Sequence, residues 1–431
     1  MYTLASFLKL LEDDGLLIKI NSVLEPYLEP TRELMKSDVD GTTILFKVRD
    51  SDLLCVGNVV NTRGKLYRAL GVLSDESAYT KLLNALNSKP ELNYVDEFKD
   101  LFTYINYGLD KLPFIKFFEN DGGMYVTSSI VIAKTPDVEG FNASVHRLMF
   151  IDRERVAIRI VPRHLYRIVS LNSRVGKDTP VAIVVGVHPA LMLLASSSPP
   201  YGIFELGLAK ELLGNSIRFC RTPKYDLPVP CDSALVMEGR ITNEYVSEGP
   251  FLDLLNLYDR VRQQPIIHVE SIYLNVSRDE QLFHVILPGG MEHKLLMGFP
   301  REASIWDVVR KVVPKVVKVR LTPAGGCWLH AVISIEKNSD GDAKNAILAA
   351  FAAHPSLKHV VVVDPDIDPD NPVDVEWAIA TRFQAGEDLI LIRGVRGSTL
   401  DPSSDDGITD KLGIDATAPL NKLELFRRVR T

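Results

Sequence analysis

Hydrophobic and polar residues alternate with different periods along this chain, and the changes of period divide it into three parts. In residues 1–110, apolar residues at helical spacing predict an amphipathic helix over residues 3–14. Three strand-like runs and a second helix follow, at residues 16–20, 42–48, 53–60 and 66–70. This alternation predicts an N-terminal α/β domain.

The middle part, residues 111–301, contains many short β-rich runs and only one clear helix, at residues 204–213. The runs cover residues 125–132, 146–150, 155–161, 181–187, 233–241, 266–275 and 282–286. Many strands with few helices predict a barrel or a strongly curved sheet.

Residues 302–431 return to an alternation of helices and strands. Helices are predicted at residues 305–312, 343–354 and 373–382, and strands at residues 316–321, 327–335, 359–363 and 389–393. A buried strand followed by a helix is typical of a parallel or mixed sheet. The last segment, Pro419–Thr431, is predicted to form a tail helix that docks on a neighbouring subunit.

Composition narrows the function classes. The chain has 431 residues, of which 46% are hydrophobic and 24% charged, with a net charge of −7. These values indicate a globular protein without a basic face, so we expect no nucleic-acid partner. We also expect a cytoplasmic protein with four reduced cysteines, because no C-x-x-C pair occurs, and neither a signal peptide nor a membrane span.

The segment Asn142-Ala-Ser144-Val-His146-Arg147 gathers several chemically active side chains. Arg147 lies among apolar β-formers, where an arginine needs an acidic partner or an anionic ligand. On a regular strand Arg147 and Asn142 face opposite sides, so a common site requires a bulge. The residues are equally compatible with Asn142 as a turn residue and Arg147 as an ion-paired structural arginine.

A second candidate segment, Glu248-Gly-Pro-Phe-Leu-Asp253, places two carboxylates on either side of a Gly-Pro corner. Such a corner would direct both acids into one cavity. A carboxyl that donates a proton near neutral pH needs a pKa raised by burial or by a like charge. The alternative is a helix start, with Pro250 near the first turn.

A metal site is the third candidate. Asn142, His164 and Glu205 would supply an amide oxygen, an imidazole and a carboxylate, a set that suits Mn²⁺ or Mg²⁺. The alternatives are an ordinary histidine and a first-turn carboxylate at Glu205. The acidic run Asp364–Asp370 lacks the glycine and the last carboxylate of a calcium loop, so we expect a solvated loop there.

Several of these segments together resemble the UbiD family of prenylated-FMN-dependent decarboxylases. The blocks occur in the family's order: Asn142-x-Ser-x-x-Arg147, Glu248-Gly-Pro-Phe-x-Asp253, Gly341-Asp-Ala-Lys-Asn345, Val360-Val-Val-Val-Asp364, Trp377-Ala-x-x-Thr-Arg382 and Lys411-Leu-Gly-Ile-Asp-Ala-Thr417. The chain departs from the family at Leu252, where glycine is usual, and at Asp253, where many relatives have glutamate.

The resemblance implies a central split β-barrel that binds the flavin, flanked by two α/β domains, the C-terminal one forming a homodimer or a larger oligomer. It implies that Asn142, His164 and Glu205 hold Mn²⁺ against the flavin phosphate, with K⁺ nearby at Ala195 and Ser196. It also implies a flavin lining and a catalytic set. The lining residues are Ser144, Val145, His146, Arg147, Ile160, Val161 and Pro162, and the catalytic residues are Arg147, Glu248 and Asp253.

The implied reaction is the reversible decarboxylation of an α,β-unsaturated or aromatic acid, with the cofactor supplied by a flavin prenyltransferase. The short chain is similar to compact archaeal members, some of which convert anhydromevalonate phosphate to isopentenyl phosphate in an archaeal mevalonate pathway. The alternatives are a polyprenyl-hydroxybenzoate decarboxylase and a flavin- or metal-binding protein without decarboxylase activity.

Overall fold

The computed structural model describes residues 2–214 and 217–428 and divides the chain into two compact units. The first unit consists of Met1–Asp253 and Leu257–Leu296, and the second of Leu254–Asn256 and Met297–Thr431. All candidate site residues lie in the first unit. Within the described ranges, no helix is long and apolar enough to cross a membrane.

Among the described residues, the first unit contains two large sheets, two two-stranded ones and most of the helices. Its helices are α1 (Leu4–Asp13), α2 (Glu29–Asp40), α3 (Arg63–Leu70), α4 (Asp75–Leu86), α5 (Phe98–Leu101), α6 (His164–Arg174), α7 (Pro189–Ser196) and α8 (Ala209–Leu213). Its strands are β1 (Leu17–Leu24), β2 (Thr43–Val48), β3 (Leu54–Gly57), β4 (Phe102–Tyr104), β5 (Tyr125–Lys134), β6 (Phe141–Phe150), β7 (Arg155–Ile158), β8 (Thr179–Val185), β9 (Phe219–Arg221), β10 (Pro228–Pro230), β11 (Leu235–Glu248), β12 (Phe251–Leu252), β13 (Tyr258–Asp259), β14 (Arg262–Asn275) and β15 (Leu282–Val285).

The N-terminal part of this unit is a four-stranded sheet of order β1-β2-β3-β15 with associated helices. The predicted first helix is confirmed as α1, which begins at a capping box formed by Thr3 and Ser6. Strand β15, expected among the central strands, instead pairs in parallel with β3, where Leu282 lies opposite Leu54.

The predicted strand-rich middle is confirmed as a seven-stranded sheet of order β11-β8-β5-β6-β7-β14-β4. Strand β11 also pairs with β14, so the ladder that runs from β11 through β8, β5, β6 and β7 to β14 returns to its first strand. Strands β6 and β11 both belong to this sheet. Those two strands carry the Asn142–Arg147 and Glu248 segments.

The second unit is a five-stranded mixed sheet with helices. Helix α9 (Met291–Val309) enters it from the first unit, and its other elements are α10 (Asp342–Ala353), α11 (Pro372–Arg382), α12 (Ala385–Asp388), β16 (Lys315–Leu321), β17 (His330–Glu336), β18 (His359–Val363), β19 (Leu389–Arg396) and β20 (Ile408–Ala416). The order is β16-β17-β18-β20-β19, and the three inner strands are parallel. The predicted α/β alternation of this part is confirmed.

The prediction of four reduced cysteines is wrong for two of them. Cys220 and Cys231 form a disulfide, whereas Cys55 and Cys327 are free and buried. The cause is the antiparallel pairing of β9 with β10, in which Val229 lies opposite Cys220. That pairing leaves the Cα atoms of the two cysteines 5.2 Å apart.

The predicted tail helix is also wrong in type. Leu420–Phe426 forms a 3₁₀ helix that buries none of its side chains, and Val429–Thr431 lie outside the described residues. A short segment without a buried apolar face has little to stabilise it as an α-helix.

The acidic run after β18 is the expected loop, exposed to solvent at Asp366, Asp368 and Asp370 but not at Asp364. Asp364 is buried and accepts a hydrogen bond from Arg382 at 2.7 Å, and Asp366 receives the other end of the same guanidinium. Asp370 pairs with Arg320 at 2.6 Å. Arg320 lies in β16, 50 residues before Asp370, and Arg382 lies at the end of α11, so the pattern within the run could not reveal these partners.

Candidate active site

Strand β6 carries polar side chains on both of its faces. On one face, the Ser144 hydroxyl lies 2.8 Å from His146 Nε2 and donates to Asn142 Oδ1 at 3.4 Å. On the other face, Arg147 meets Glu248 at the end of β11. Asn142 is thus a strand residue, and the turn interpretation is excluded.

The irregularity predicted near Arg147 lies in the neighbouring strand β5. Val126 pairs with Leu148 and Ser129 with His146, so two residues of β5 face Arg147 alone. A bulge of this kind increases the local twist and redirects side chains. The neighbour therefore supplies the bend, while β6 itself stays continuous.

Arg147 is the centre of an acidic cluster. Its Nε and Nη2 atoms donate to the two carboxylate oxygens of Glu248 at 2.8 and 3.0 Å, the paired geometry of a strong ion pair. Asp253 lies 3.8 Å from Nη1 and Asp259 3.7 Å from Nη2. The guanidinium carbon also lies 4.5 Å from the centre of the Phe251 ring. Glu248 is fully buried, whereas the side chain of Asp253 keeps 23% of its exposure.

The Gly-Pro corner is held by backbone contacts from a second segment. The Gly249–Pro250 bond is cis, and the Gly122 N–H donates to the Pro250 carbonyl at 2.7 Å. A Cβ atom at Gly122 would lie 2.0 Å from the Gly249 carbonyl oxygen, so only glycine fits there. The Leu252 N–H donates to Asp121. Strands β11 and β12 flank the corner, which excludes the helix start.

Burial and charge set the protonation of the groups around Arg147. Burial acts to lower the pKa of Arg147, but the hydrogen bonds and charge of Glu248 outweigh it and raise that pKa. Burial, with Glu248 next, raises the pKa of Tyr125. Burial lowers the pKa of His293, against the opposing charge of Asp253. At neutral pH the site therefore combines a charged guanidinium with a neutral phenol and a neutral imidazole.

Sequence reasoning missed Asp259, Tyr125 and His293 as neighbours of Arg147. Asp259 also pairs with Arg262 at 2.9 Å; burial acts to raise its pKa, but Arg262 and the other arginines hold it below its ordinary value. The short β12–β13 hairpin brings Asp259 to the site by placing it opposite Phe251.

The predicted metal ligands Asn142 and His164 both lie beside the third, Glu205, which is the first residue of a 3₁₀ helix. Its Oε1 accepts from Asn142 Nδ2 at 2.9 Å and lies 3.8 Å from His164 Nδ1, and its Oε2 accepts from the Ala143 N–H at 2.6 Å. Asn142 and His164 are therefore closer than the roughly 10 Å that would rule out a common ion. His164 does not lie on a strand beside Asn142, because it is the first residue of α6.

The surroundings of the Glu205 carboxylate suit a bound cation. Glu205 is 2% exposed, and its hydrogen-bond donors, Asn142 and Ala143, are both neutral. A buried carboxylate without a paired cation is costly, so an ion would be favourable there. Among the described residues there is no group of three or more His, Cys, Asp or Glu side chains able to hold a metal. An ion at this position therefore needs the amide oxygen of Asn142.

The other predicted ligand-lining residues lie next to these clusters. The Arg159 carbonyl is 2.8 Å from His146 Nδ1, and the Ile160 N–H donates to Gln264 Oε1 at 2.8 Å. Val161 and Pro162 follow in an exposed segment between β7 and α6. The structure thus brings the Ile160–Pro162 segment beside the Ser144–His146 segment.

The predicted potassium residues Ala195 and Ser196 are the last two residues of α7. The Ser196 hydroxyl donates to the Met192 carbonyl at 2.9 Å, within its own helix. Nothing in the donor geometry identifies an ion at this position.

Three family models match the chain in succession. They are described as the N-terminal domain, the Rift-related domain and the C-terminal domain of 3-octaprenyl-4-hydroxybenzoate carboxy-lyase, and they match residues 8–86, 95–291 and 294–416. The Rift-related model contains every candidate site residue.

Individual proteins resemble the chain over nearly its whole length. The anhydromevalonate phosphate decarboxylase of Aeropyrum pernix is 49% identical over 97% of this chain and 94% of its own. The solved structure of the UbiD-class enzyme HmfF from Pelotomaculum thermopropionicum, in complex with FMN, is 36% identical and has a TM-score of 0.94, covering 100% of this chain and 97% of that one. An evolved dimeric form of the same enzyme, in complex with prFMN, is 33% identical with a TM-score of 0.91 and the same coverage.

Proposed function

The chain belongs to the UbiD family of carboxy-lyases, and from this we propose that it decarboxylates anhydromevalonate phosphate to isopentenyl phosphate with prenylated FMN as cofactor. The observation that carries the proposal is the cluster of Arg147, Glu248 and Asp253, present in a chain that is 49% identical to a decarboxylase of that name. The activity belongs to isoprenoid biosynthesis.

We propose that the ring of central strands is the split β-barrel that binds the flavin, with Ser144–Arg147 and Ile160–Pro162 along it. Asn142, His164 and Glu205 would hold Mn²⁺ against the flavin phosphate, and K⁺ would bind near Ala195 and Ser196. When bound, the modified flavin supplies an electron sink for the decarboxylation. The protein contributes position, charge and a proton.

Arg147 binds and orients the substrate carboxylate in this proposal. Two of its nitrogen atoms are engaged by Glu248, which leaves Nη1, on the side of Asp253, for the ligand. The C–C bond to the carboxylate breaks, and carbon dioxide leaves. A proton from Asp253 then reaches the carbon atom that carried the carboxylate. Glu248 keeps the guanidinium in place, because both of its oxygens are already occupied.

A second candidate substrate is a polyprenyl-hydroxybenzoate, because the matching family models describe domains of 3-octaprenyl-4-hydroxybenzoate carboxy-lyase. The third reading, a flavin- or metal-binding protein without decarboxylase activity, is disfavoured because the arginine and both acids are present and in contact range.

We further propose a division into domains 1–110, 111–301 and 302–431, and a cytoplasmic homodimer or larger oligomer. A flavin prenyltransferase would supply the cofactor. A dimeric relative with prFMN bound supports the oligomer and the cofactor.

The test is co-expression with a flavin prenyltransferase, followed by mass spectrometry of the bound flavin and assays with two acids. We expect prenylated FMN in the protein, and turnover of anhydromevalonate phosphate with release of carbon dioxide. A loaded protein that decarboxylates a hydroxybenzoate but not anhydromevalonate phosphate would contradict the proposed substrate. A loaded protein inactive on every unsaturated or aromatic acid tested would contradict the proposed function.

A further inference from the structure

A tyrosine that belongs to none of the predicted sets contacts the candidate metal group. The ring of Tyr201 meets that of His164 edge-on, with centroids 5.5 Å apart and planes at 73°. The Tyr201 hydroxyl donates to Asp137 Oδ1 at 2.6 Å, and Arg167 donates to Asp137 Oδ2 at 2.6 Å. The Arg167 guanidinium also lies over the Tyr201 ring, 4.7 Å from its centre. Tyr201 is thus held at its hydroxyl and on its ring face while it touches His164.

The chain brings these side chains together from three elements. Arg167 follows His164 by three residues in α6, which places both on one face of the helix. Asp137 lies in the turn between β5 and β6, and Tyr201 in the segment between α7 and Glu205. A Cβ atom at Gly140 would lie 2.5 Å from the Gly202 carbonyl oxygen, so the segment packs directly on the turn.

The charges around Asp137 and Tyr201 agree with the direction of their hydrogen bond. The hydrogen bond from Tyr201, followed by that from Arg167, lowers the pKa of Asp137. Burial, followed by the bond to Asp137, raises the pKa of Tyr201 to about 12. At neutral pH the phenol is therefore a donor and the carboxylate an acceptor, as the bond requires.

His164 itself needs such support. Its Nδ1 lies 3.8 Å from Glu205, beyond hydrogen-bond distance, and its side chain is 29% exposed. In the part of the chain that the structure describes, no hydrogen bond fixes this ring. The edge contact with Tyr201 is therefore a restraint on its orientation.

We propose that Tyr201 is a positioning residue that orients the His164 imidazole toward Glu205, and that Asp137 and Arg167 lock Tyr201 in place. This inference rests on the proposed metal site. Groups that orient a ligand from behind typically change metal affinity by roughly 10–100-fold when they are removed. Tyr201 would act on the metal through His164 and would not touch the substrate.

The test is calorimetric titration of Mn²⁺ into metal-stripped, full-length protein saturated with FMN. Tyr201→Leu removes the ring and should raise the Kd for Mn²⁺ about tenfold or more. Tyr201→Phe and Asp137→Asn keep the ring but break its lock, and they should raise the Kd by a smaller factor. The matched control is Tyr166→Phe, because Tyr166 is an exposed tyrosine on α6, the helix that begins with His164. This substitution should leave the Kd unchanged.

The outcomes separate this inference from the metal site on which it rests. A wild-type Kd in Tyr201→Leu would overturn the positioning role. The same holds if the variant lowers only the Tm of the metal-free protein, because that is a purely structural effect. His164→Ala serves as the reference. If wild type binds no Mn²⁺, or if His164→Ala binds it as tightly as wild type, the proposed metal site itself fails.

Discussion

At the scale of residues, the two acids beside Arg147 are held differently, and this difference predicts their roles. Glu248 is fully buried and uses both oxygens on Arg147, whereas Asp253 is 3.8 Å away and partly exposed. We therefore expect Asp253→Asn to bind flavin normally but to lower the decarboxylation rate by roughly 10²–10⁴-fold, the usual contribution of a proton donor. Flavin absorbance gives the occupancy, and carbon dioxide release gives the rate.

The control for this variant is Asp110→Asn, which removes a carboxylate from a surface ion pair with Arg153. It should leave the rate unchanged, since surface pairs contribute little. Wild-type turnover in Asp253→Asn at full flavin occupancy would mean that Asp253 is not the donor, and Glu248 would take its place.

The residues predicted from sequence are those whose type is unusual for their surroundings. Arg147 in an apolar strand needed an acid, and Glu248 was already a candidate. Tyr201 and His293 could not be found in this way, because a single aromatic or imidazole side chain in a loop or a helix start has no distinguishing pattern. Only the folded chain brings Tyr201 to His164 and His293 near Asp253.

At the scale of elements, sequence periodicity was most reliable for strands and for helices with one buried face, such as α1. It failed for α7, where nearly every residue is buried and no polar face marks the helix. It also missed α6, whose first residue is His164 and whose start has no side-chain cap. The helix that begins at His164 was therefore not predicted.

Helix α7 contains a pH-dependent element at its first turn. His188 Nδ1 accepts from the Ala190 N–H at 3.2 Å and caps the helix, and burial lowers the pKa of His188 to about 3. As the pH falls below about 6.5, His188 takes up a proton in the unfolded chain but stays neutral in the folded chain. The contribution of His188 to the free energy of unfolding is therefore fully present above about pH 6.5, and it falls by about 1.4 kcal/mol per pH unit as the pH drops toward 3.

His188→Asn should keep an acceptor at the cap but lose this titration. We expect the urea midpoint, followed by circular dichroism, to fall less between pH 7.5 and pH 5 than in wild type. The variant also loses ring contacts to Phe7, so its midpoint at pH 7.5 should be lower. If the pH dependence were unchanged in this variant, the pKa of His188 would not be lowered in the folded protein.

The β9–β10 hairpin gives the second prediction at this scale. The Cys220–Cys231 disulfide closes a loop with a sequence separation of 11 residues, for which chain entropy predicts a stabilisation of roughly 2–3 kcal/mol. Dithiothreitol should lower the Tm of wild type and leave that of Cys220→Ala/Cys231→Ala unchanged. Alkylation of the unfolded, unreduced protein should label two thiols, those of Cys55 and Cys327. Labelling of all four would contradict the disulfide.

At the scale of the whole molecule, the sequence predicted the alternation of elements and a barrel or curved sheet in the middle, but not which strands pair. The pairing of β11 with β14 and of β15 with β3 joins segments whose partners are chosen by packing, not by local pattern. A strand such as Leu282–Val285 has the same composition whichever sheet it completes. The family resemblance could supply this topology, because a family's fold includes its long-range strand pairings and the hydrophobic pattern of a single chain does not.

The last prediction concerns assembly, and it follows from the edge of the second unit's sheet. Strand β19 is eight residues long and pairs only with β20 among the described strands, and its Leu389 and Leu391 are 40% and 46% exposed on one face. A long apolar edge left in water invites pairing or aggregation, so we expect a second copy of the chain to cover it.

Leu391→Lys should shift the protein from a dimer or larger oligomer toward monomer, because a lysine in the covered edge would bury a charge. Light scattering at micromolar concentration measures the mass. Leu73→Lys is the matched control, since Leu73 is 97% exposed in the loop after α3 of the first unit and should not affect assembly. A wild-type chain that is monomeric at this concentration would contradict the oligomer. An oligomer that survives Leu391→Lys would place the interface away from β19.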